Sequence, residues 1–280
     1  MEMRRFLHNS DAVAGVIEAL LLVALVSVVI STIQLVYIPE IMKQREAEHM
    51  DDVENQLSYL KSIIDLQSTV QEDVPVSSPL TLGSRELPYF VTARSFGHLI
   101  IRDVTASKID TEFFTNQKLT SIEYEAVNAY YIDQTYVLEG GSLIVNQSNG
   151  QTARVEPSMT YENRSTEIRI NYNLPTFNGI EGKNTTSGYK SCFIRTNYSS
   201  KAQYSGYTNY IKIYTEYLDA WNNSLNQLFS SEVDNGYINI NKYPTANPPY
   251  VAITQGTKDL YLDLTVINFG VQIGPGTVLQ

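Results

Sequence analysis

The chain has 280 residues with a formal net charge of −10 at pH 7, and only one of its residues, Cys192, is a cysteine. Nucleic-acid-binding proteins need a basic surface, so the charge argues against nucleic acid as a partner. A single cysteine excludes an internal disulfide framework and a thiolate metal cluster. The acidity is concentrated near the N-terminus, where residues 1–73 hold five Lys or Arg and twelve Asp or Glu.

A long apolar stretch begins close to the N-terminus. No charged residue occurs from Ala19 to Pro39, and these 21 positions match the ~20 residues that a helix needs to cross the hydrocarbon core of a bilayer. A cleaved secretory signal has a shorter apolar core of ~7–15 residues. We therefore predict a cytoplasmic leader at 1–11 and a transmembrane helix at 12–38, with membrane lipid as its partner. The alternative is a buried helix of a soluble protein.

The sequence of this stretch, DAVAGVIEALLLVALVSVVIS, resembles the N-terminus of archaeal type IV pilin-like proteins, which carry a class III signal. The resemblance runs from Ala12 to about Ser31. It implies that a prepilin peptidase cuts the precursor just before the apolar segment, which then anchors the protein or forms a filament core by self-association. Many archaeal members have Ser-Pro at the positions of Ala14 and Gly15, and Gly at the position of Glu18.

Four residues bear on processing and assembly: Asp11, Ala12, Gly15 and Glu18. A cut after Asp11 makes Glu18 the seventh mature residue and a cut after Gly15 makes it the third, while bacterial pilins typically have a carboxylate at the fifth. Glu18 lies about two helical turns in from Asp11, so its carboxylate could snorkel to the membrane surface. The alternative is that Glu18 pairs with a positive group of a neighbouring chain, such as an N-terminal amine freed by processing.

A helical pattern continues beyond Pro39, which we expect to kink the helix. Apolar residues recur over 39–67 at alternating spacings of three and four, as in a coiled-coil seam. The seam residues are Met50, Val53, Leu57, Leu60 and Ile64. They predict an amphipathic extracellular helix that packs either on the protein's own head or on another chain, followed by a linker at 68–79. The segments REAEHMDDVENQLSYLKSIIDLQ and PLTLGSRELPYF also resemble a family of uncharacterised archaeal pilin-like membrane proteins, to which no activity is attached.

Residues 80–280 are predicted mostly as short strands rich in Val, Ile, Tyr, Phe and Thr, separated by turn dipeptides such as Asn235-Gly236. We predict an α+β protein with a pilin-like lollipop shape. Its long N-terminal transmembrane and spine α-helix precedes an extracellular, β-rich, sandwich-like antiparallel head. One helix is predicted inside the head at 210–232, with Trp221 on its core-facing side. The segment PYFVTA at 88–93 is predicted as a strand.

Five asparagines fit the acceptor pattern for N-glycosylation. They are Asn146, Asn163, Asn184, Asn197 and Asn222. All lie beyond residue 140, and surface sugars would solubilise an exported head that has no disulfide. Lys and Arg are balanced on the two sides of the apolar run, so the acceptor sites decide the predicted orientation. We predict a single-pass glycoprotein of the cell membrane, with its N-terminus in the cytoplasm and its C-terminal domain outside.

The head offers little that points to catalysis, and we predict neither an enzyme nor a bound cofactor or metal. His98 is the head's only histidine, and Cys192 is expected to be a core thiol. Glu123 and Glu125 alternate on one strand as two carboxylates, and a solvated strand face is expected there. A tethered hydrolase would need a pocket in which polar groups converge around these residues.

The expected function is a structural or adhesive pilin-like protein of the cell surface. The alternative is a permanently anchored ectodomain that acts as a receptor or an accessory subunit of a surface or secretion complex.

Overall fold

The computed structural model describes residues 9–84 and 95–274 of the chain, with side chains from Val13 onward. The described part begins with one long helix and continues as a β-rich head whose strands form three sheets. The architecture is α+β and lollipop-like, as predicted. The predicted strand PYFVTA falls outside the described residues.

Two α-helices joined by a π-helical turn make up the long helix. They are α1 (Asn9–Thr32), the turn (Ile33–Tyr37) and α2 (Ile38–Val70). Pro39 has no N–H to donate to the carbonyl four residues back, and its ring crowds that carbonyl. The helix widens just before Pro39, where the N–H of Ile38 donates to the carbonyl of Ile33, five residues back. The distortion expected at Pro39 therefore takes the form of a π-helical turn, through which the helix continues.

The head consists of sixteen described strands and two short helices. The strands are β1 (Val76–Thr81), β2 (Phe96–Arg102), β3 (Lys108–Asp110), β4 (Gln117–Lys118), β5 (Ser121–Val127), β6 (Gln134–Glu139), β7 (Ser142–Gln147), β8 (Gly150–Val155), β9 (Met159–Asn163), β10 (Glu167–Gly179), β11 (Thr185–Gly188), β12 (Ser191–Tyr207), β13 (Tyr210–Tyr214), β14 (Ile238–Tyr243), β15 (Tyr250–Gln255) and β16 (Asp259–Gly274). The helices are α3 (Leu218–Leu228) and α4 (Ser230–Asp234).

The first sheet has the strand order β1-β12-β16-β10-β9, the second β11-β2-β5-β6-β7-β8 and the third β14-β15-β13-β3-β4. Neighbouring strands are antiparallel, as predicted, with one exception among the described pairs. β10 and β16 run parallel over thirteen residue pairs, from Glu167 beside Asp259 to Gly179 beside Val271. Parallel neighbours need a long crossover, and the chain between β10 and β16 supplies it by building most of the third sheet.

Two hydrophobic cores hold the described part together. The helix core lies between α2, the first sheet and the second sheet, and all five predicted seam residues are buried in it. The seam therefore packs on the protein's own head. The sheet core lies between the three sheets and α3, and Trp221 is 1% exposed there, which confirms its predicted packing role.

The tight turn between β6 and β7 requires glycine. Gly140 and Gly141 have φ angles of +59° and +81°, in the left-handed region that other residues avoid. The turn also sits directly on the sheet core, because a Cβ at Gly140 would lie 2.8 Å from the Trp221 ring. The hydroxyl of Tyr172 donates to the Gly140 carbonyl at 2.9 Å and fixes the turn in place.

The predicted helix at 210–232 is wrong at its N-terminal end. Residues Tyr210–Tyr214 form β13, which pairs with β15 and β3, and the helix begins only at Leu218. The segment YIKIY alternates, so a strand buries both Ile211 and Ile213 on one face. The connection after α2 is shorter than the linker predicted at 68–79, since α2 ends at Val70 and β1 begins at Val76.

Candidate functional site

The N-terminal half of the long helix is not covered by the described part of the head. Every residue from Val13 to Tyr37 is exposed, and none of the most apolar 18-residue window is buried. The hydroxyls of Ser27 and Thr32 donate to the helix's own carbonyls four residues back, at 2.7 and 2.9 Å, so they need no outside partner. This helix is long and apolar enough to cross a membrane.

The four predicted processing and assembly residues all fall in α1. The side chains of Asp11 and Ala12 are outside those described. Gly15 is in open space, because a Cβ built there would meet nothing within 4 Å. Glu18 is exposed, and the described part of the chain supplies no hydrogen bond or counter-charge to it.

A buried carboxylate joins α2 to the head where the helix enters it. Glu46 is 0% exposed. Its Oε1 accepts the backbone N–H of Ala129 at 3.0 Å, and its Oε2 accepts those of Tyr130 and Tyr131 at 2.7 Å each. Charge-assisted bonds from three consecutive amides form an anion-binding concavity and can take the place of a cation. The loop between β5 and β6 is thus fastened to one turn of α2.

His49 extends this contact one turn further along α2. Its Nε2 lies 3.0 Å from the hydroxyl of Tyr124, and that hydroxyl lies 2.8 Å from the Leu82 carbonyl, to which it donates. A tyrosine has one hydroxyl proton, so the histidine Nε2–H donates to the tyrosine oxygen. Burial lowers the pKa of His49, and the Leu82 backbone, Asp52 and Glu46 oppose that shift with smaller effects. The site favours a neutral imidazole.

Sequence reasoning missed Glu46 and His49 because the seam was defined by apolar residues. The signal was nevertheless present. Met42, Glu46, His49 and Val53 continue the seam's spacing of three and four toward Pro39, and all four side chains are buried.

A cleft of about 430 Å³ opens on the outward face of the second sheet, where it is also lined by residues of the connection into α3. One row of side chains crosses the whole sheet at this face because the strands are in register. From β11 to β8 the row is Ser187, His98, Glu125, Thr135, Asn146 and Gln151. Every side chain of the row can form hydrogen bonds, so we call this site the polar cleft.

The two predicted carboxylates do share this face, but their surroundings differ. Glu123 is 8% exposed. It accepts a hydrogen bond from Arg102 Nη1 at 2.9 Å and one from Ser121 Oγ at 2.7 Å. Arg102 also lies 3.6 Å from Glu216. The hydrogen bond to Glu123 is the main cause that raises the pKa of Arg102. Glu125 is exposed, so Glu125 alone matches the expected solvated carboxylate.

A third carboxyl group, Glu139, is buried at the end of β6 and was not predicted. Its Oε1 accepts hydrogen bonds from Thr215 Oγ1 at 2.7 Å and from Trp221 Nε1 at 2.9 Å. Burial raises the pKa of Glu139 to about 7, and these two hydrogen bonds only partly oppose the shift. Glu139 fixes Trp221 and the start of α3 to the second sheet.

The pocket that the hydrolase alternative requires is therefore present, but its groups are not arranged as a charge relay. His98 Nδ1 lies 2.6 Å from Ser187 Oγ. Glu125 is the register partner of His98 on the next strand, yet no hydrogen bond or ion pair joins these two described residues. In a Ser-His-Asp triad a third group orients the histidine base, and no such group contacts His98 among the described residues. No group of three or more described His, Cys, Asp or Glu residues is placed to hold a metal ion.

Cys192 is a free and buried thiol in the helix core, as predicted. Burial raises its pKa to about 11. The thiolate is the nucleophilic form, so this side chain is a packing residue.

The five predicted glycosylation sites differ in how accessible their amide nitrogens are. Asn184 is exposed just before β11. Asn163 is exposed, but its Nδ2 donates to Glu232 at 2.8 Å and its Oδ1 accepts from Lys258. Asn197 is partly buried and donates to Asp73 at 2.9 Å. Of these three, Asn184 alone is exposed without a side-chain hydrogen bond among the described residues.

The other two acceptor sites lie inside regular structure. Asn146 is partly buried in β7 and lines the polar cleft. Asn222 is partly buried on α3, where its carbonyl accepts a hydrogen bond from Asn226. A glycan at Asn146 would project over the cleft.

Comparison of the chain with protein-family models, curated proteins and solved structures finds no match.

Proposed function

We propose that this chain is a type IV pilin-like cell-surface protein with a structural or adhesive role, held in the membrane by its N-terminal helix. The observation that carries the proposal is the division of one helix into two halves. Residues 13–37 are exposed on all sides and carry one charged residue, Glu18, while residues 38–70 pack one face into the head. A helix that is apolar all round is stable only among lipids or other helices. The resemblance of residues 12–31 to pilin-like N-termini agrees with this division.

In this proposal a prepilin peptidase removes the leader near residues 11–15, and the head lies outside the cell with the N-terminus inside. The exposed Asn184 would carry a glycan, which favours that orientation. The polar cleft would serve binding, and no catalytic role is assigned to it. The exposed half of the helix, residues 13–37, would be available for self-association into a filament.

A permanently anchored ectodomain, acting as a receptor or accessory subunit, is the second candidate. The observation that favours it is Glu18, an exposed carboxylate at the third or seventh residue after the two cuts considered. Neither position is the fifth, at which bacterial pilins place their assembly carboxylate. A chain that keeps its leader would not assemble.

Mass spectrometry of the N-terminus of the native protein, isolated from its own membranes, separates the two candidates. A first residue between Ala12 and Val16 supports processing and the pilin-like route. An intact leader supports the anchored ectodomain. Recovery of the full-length chain from the soluble fraction would contradict both. Electron microscopy of shed material then tests assembly.

A further inference from the structure

One end of the head carries its own exposed apolar residues. Phe96 and Val127 are register partners on β2 and β5, and they are 47% and 54% exposed. Tyr130 and Ile132, in the loop that follows β5, are 37% and 45% exposed. We call these four residues the apolar rim. They form a set of large apolar side chains where β2 begins, where β5 ends and in the loop that follows β5.

The rim lies on the side of the head from which the helix runs toward α1. β5 descends along α2 in that direction, since Tyr124 on β5 contacts His49 and the loop beyond β5 is fastened to Glu46. The rim's Tyr130 is one of the residues whose N–H binds the Glu46 carboxylate. The position of the rim relative to the helix is thus fixed by these hydrogen bonds.

Among the described residues, the apolar half of the helix is followed directly by the half that packs on the head, with no exposed polar segment between them. Tyr37 is 63% exposed, and the next residue, Ile38, is 8% exposed because burial of α2 begins there. Glu46 lies eight residues beyond Ile38, or about 12 Å at ~1.5 Å per residue. The headgroup zone on each side of a ~30 Å hydrocarbon core is roughly 5–8 Å thick. Side chains that extend from the Glu46 level toward α1 reach that zone when the apolar run fills the core.

We propose that the apolar rim lies in the headgroup region of the bilayer that the helix spans, so that the head rests on the membrane surface. The inference rests on the membrane anchoring in the proposed function. Aromatic and aliphatic side chains are favourable at this depth, where tyrosine places its ring among the acyl chain ends and its hydroxyl in water. Exposed Lys43, on the first turns of α2, stands at the level of lipid phosphates.

The test places a fluorescent label at three depths in the full-length protein reconstituted in phosphatidylglycerol and phosphatidylcholine vesicles. The labelled variants are Leu25→Cys in the apolar run, Ile132→Cys in the rim and Tyr207→Cys as the distal control. Tyr207 is 60% exposed and lies eleven residues further along β12 than Thr196, which contacts Gln67 near the far end of α2. Cys192 stays in place because its buried thiol does not react, and the unsubstituted chain reports background labelling. Lipids that carry a quencher near the headgroup or at the bilayer centre report depth.

We expect loss of fluorescence at Ile132 with the shallow quencher, at Leu25 with the deep quencher, and at Tyr207 with neither. Quenching at Leu25 without quenching at Ile132 overturns the rim inference and leaves the membrane anchor standing. No quenching at Leu25 overturns the anchor itself and the inference with it. A label at Ile132 that is shielded from water but not reached by any lipid quencher indicates a protein partner, such as a second copy of the chain, and also overturns the inference. Val127→Cys is a second rim site should Ile132→Cys fold poorly.

Discussion

The two halves of the long helix are continuous through the π-helical turn at Ile33–Tyr37, and they have opposite surroundings. In the half at 13–37 no residue is buried, and in the half at 38–70 one face is buried along its length. The difference follows from side chains, because the first half has apolar residues on every face and the second has them on one. The first half therefore needs an environment that the head does not provide, and the second half is part of the head's core.

The largest effect should come from removing the first half. A chain that lacks residues 1–37 keeps every α2 residue that packs on the head. We expect it to move entirely from the membrane fraction to the soluble fraction, with a thermal unfolding midpoint that changes by no more than about 2 °C. Ultracentrifugation and calorimetry measure the two quantities. A truncated chain that stays in the membrane fraction would show that the bare half is not the anchor.

Within the second half, a matched pair of leucines separates the buried face from the exposed one. Leu57 is 0% exposed in the helix core, and Leu66 is 63% exposed nine residues later. Leu57→Ala should lower the free energy of unfolding by ~2–5 kcal/mol because it leaves a cavity. Leu66→Ala should change it by less than ~0.5 kcal/mol. Urea unfolding measures both, and similar losses in the two variants would contradict the packing of this face.

The contact between α2 and the head can be loosened at Glu46. Glu46→Ala leaves three backbone N–H groups without their acceptor, and we expect a loss of roughly 3 kcal/mol of unfolding free energy. Glu48 is the matched control, since it is exposed and, among the described residues, accepts only from Gln44. Hydrogen exchange should rise at Ala129, Tyr130 and Tyr131 in the Glu46 variant alone. Unchanged protection at these amides would mean that Glu46 does not hold the loop.

A smaller, pH-dependent effect is expected from His49. Burial lowers its pKa in the folded state below the ordinary value of 6.5. The unfolded chain therefore takes up a proton at higher pH than the folded chain does, so this residue lowers stability as the pH falls below ~6.5. Glu139 acts with the opposite sign, because its raised pKa makes the folded state bind more protons between about 4.5 and 7.

The comparison of the wild type with His49→Gln isolates the histidine, since both chains keep Glu139. We expect the stability of the wild type relative to the variant to be lower at pH 5 than at pH 8. Chemical denaturation at the two pH values measures this difference. A difference that is the same at both values would show that His49 titrates alike in the folded and unfolded states.

The sequence predicts the parts of this molecule that follow from periodicity. The seam from Met50 to Ile64 repeats every three or four residues and most strands every two, while the apolar run is recognised from its length without charge. The predicted helix at 210–232 was wrong because two short patterns meet there: the alternation of YIKIY passes into the helical spacing of LDAWNNSLNQL. Ile211 lies in a strand and not in the helix because it pairs with β15, a strand some forty residues later in the chain.

The cleft and the contact of Glu46 and His49 with the head could not be predicted because they depend on how the strands are connected and paired. Glu123 and Glu125 were expected to share a face, but the guanidinium of Arg102 reaches Glu123 only because β2 pairs with β5. Ser187 meets His98 across a strand pair separated by eighty-nine positions. The parallel pairing of β10 with β16 has no local signal, since each strand alternates in the same way as an antiparallel one.

Protease protection of the full-length chain in sealed vesicles tests the central claim most directly. After digestion and washing, mass spectrometry of the vesicle-bound peptides should recover a protected fragment that covers residues 13–37. The absence of any protected fragment from this region, with the intact chain found free in solution, would contradict the account.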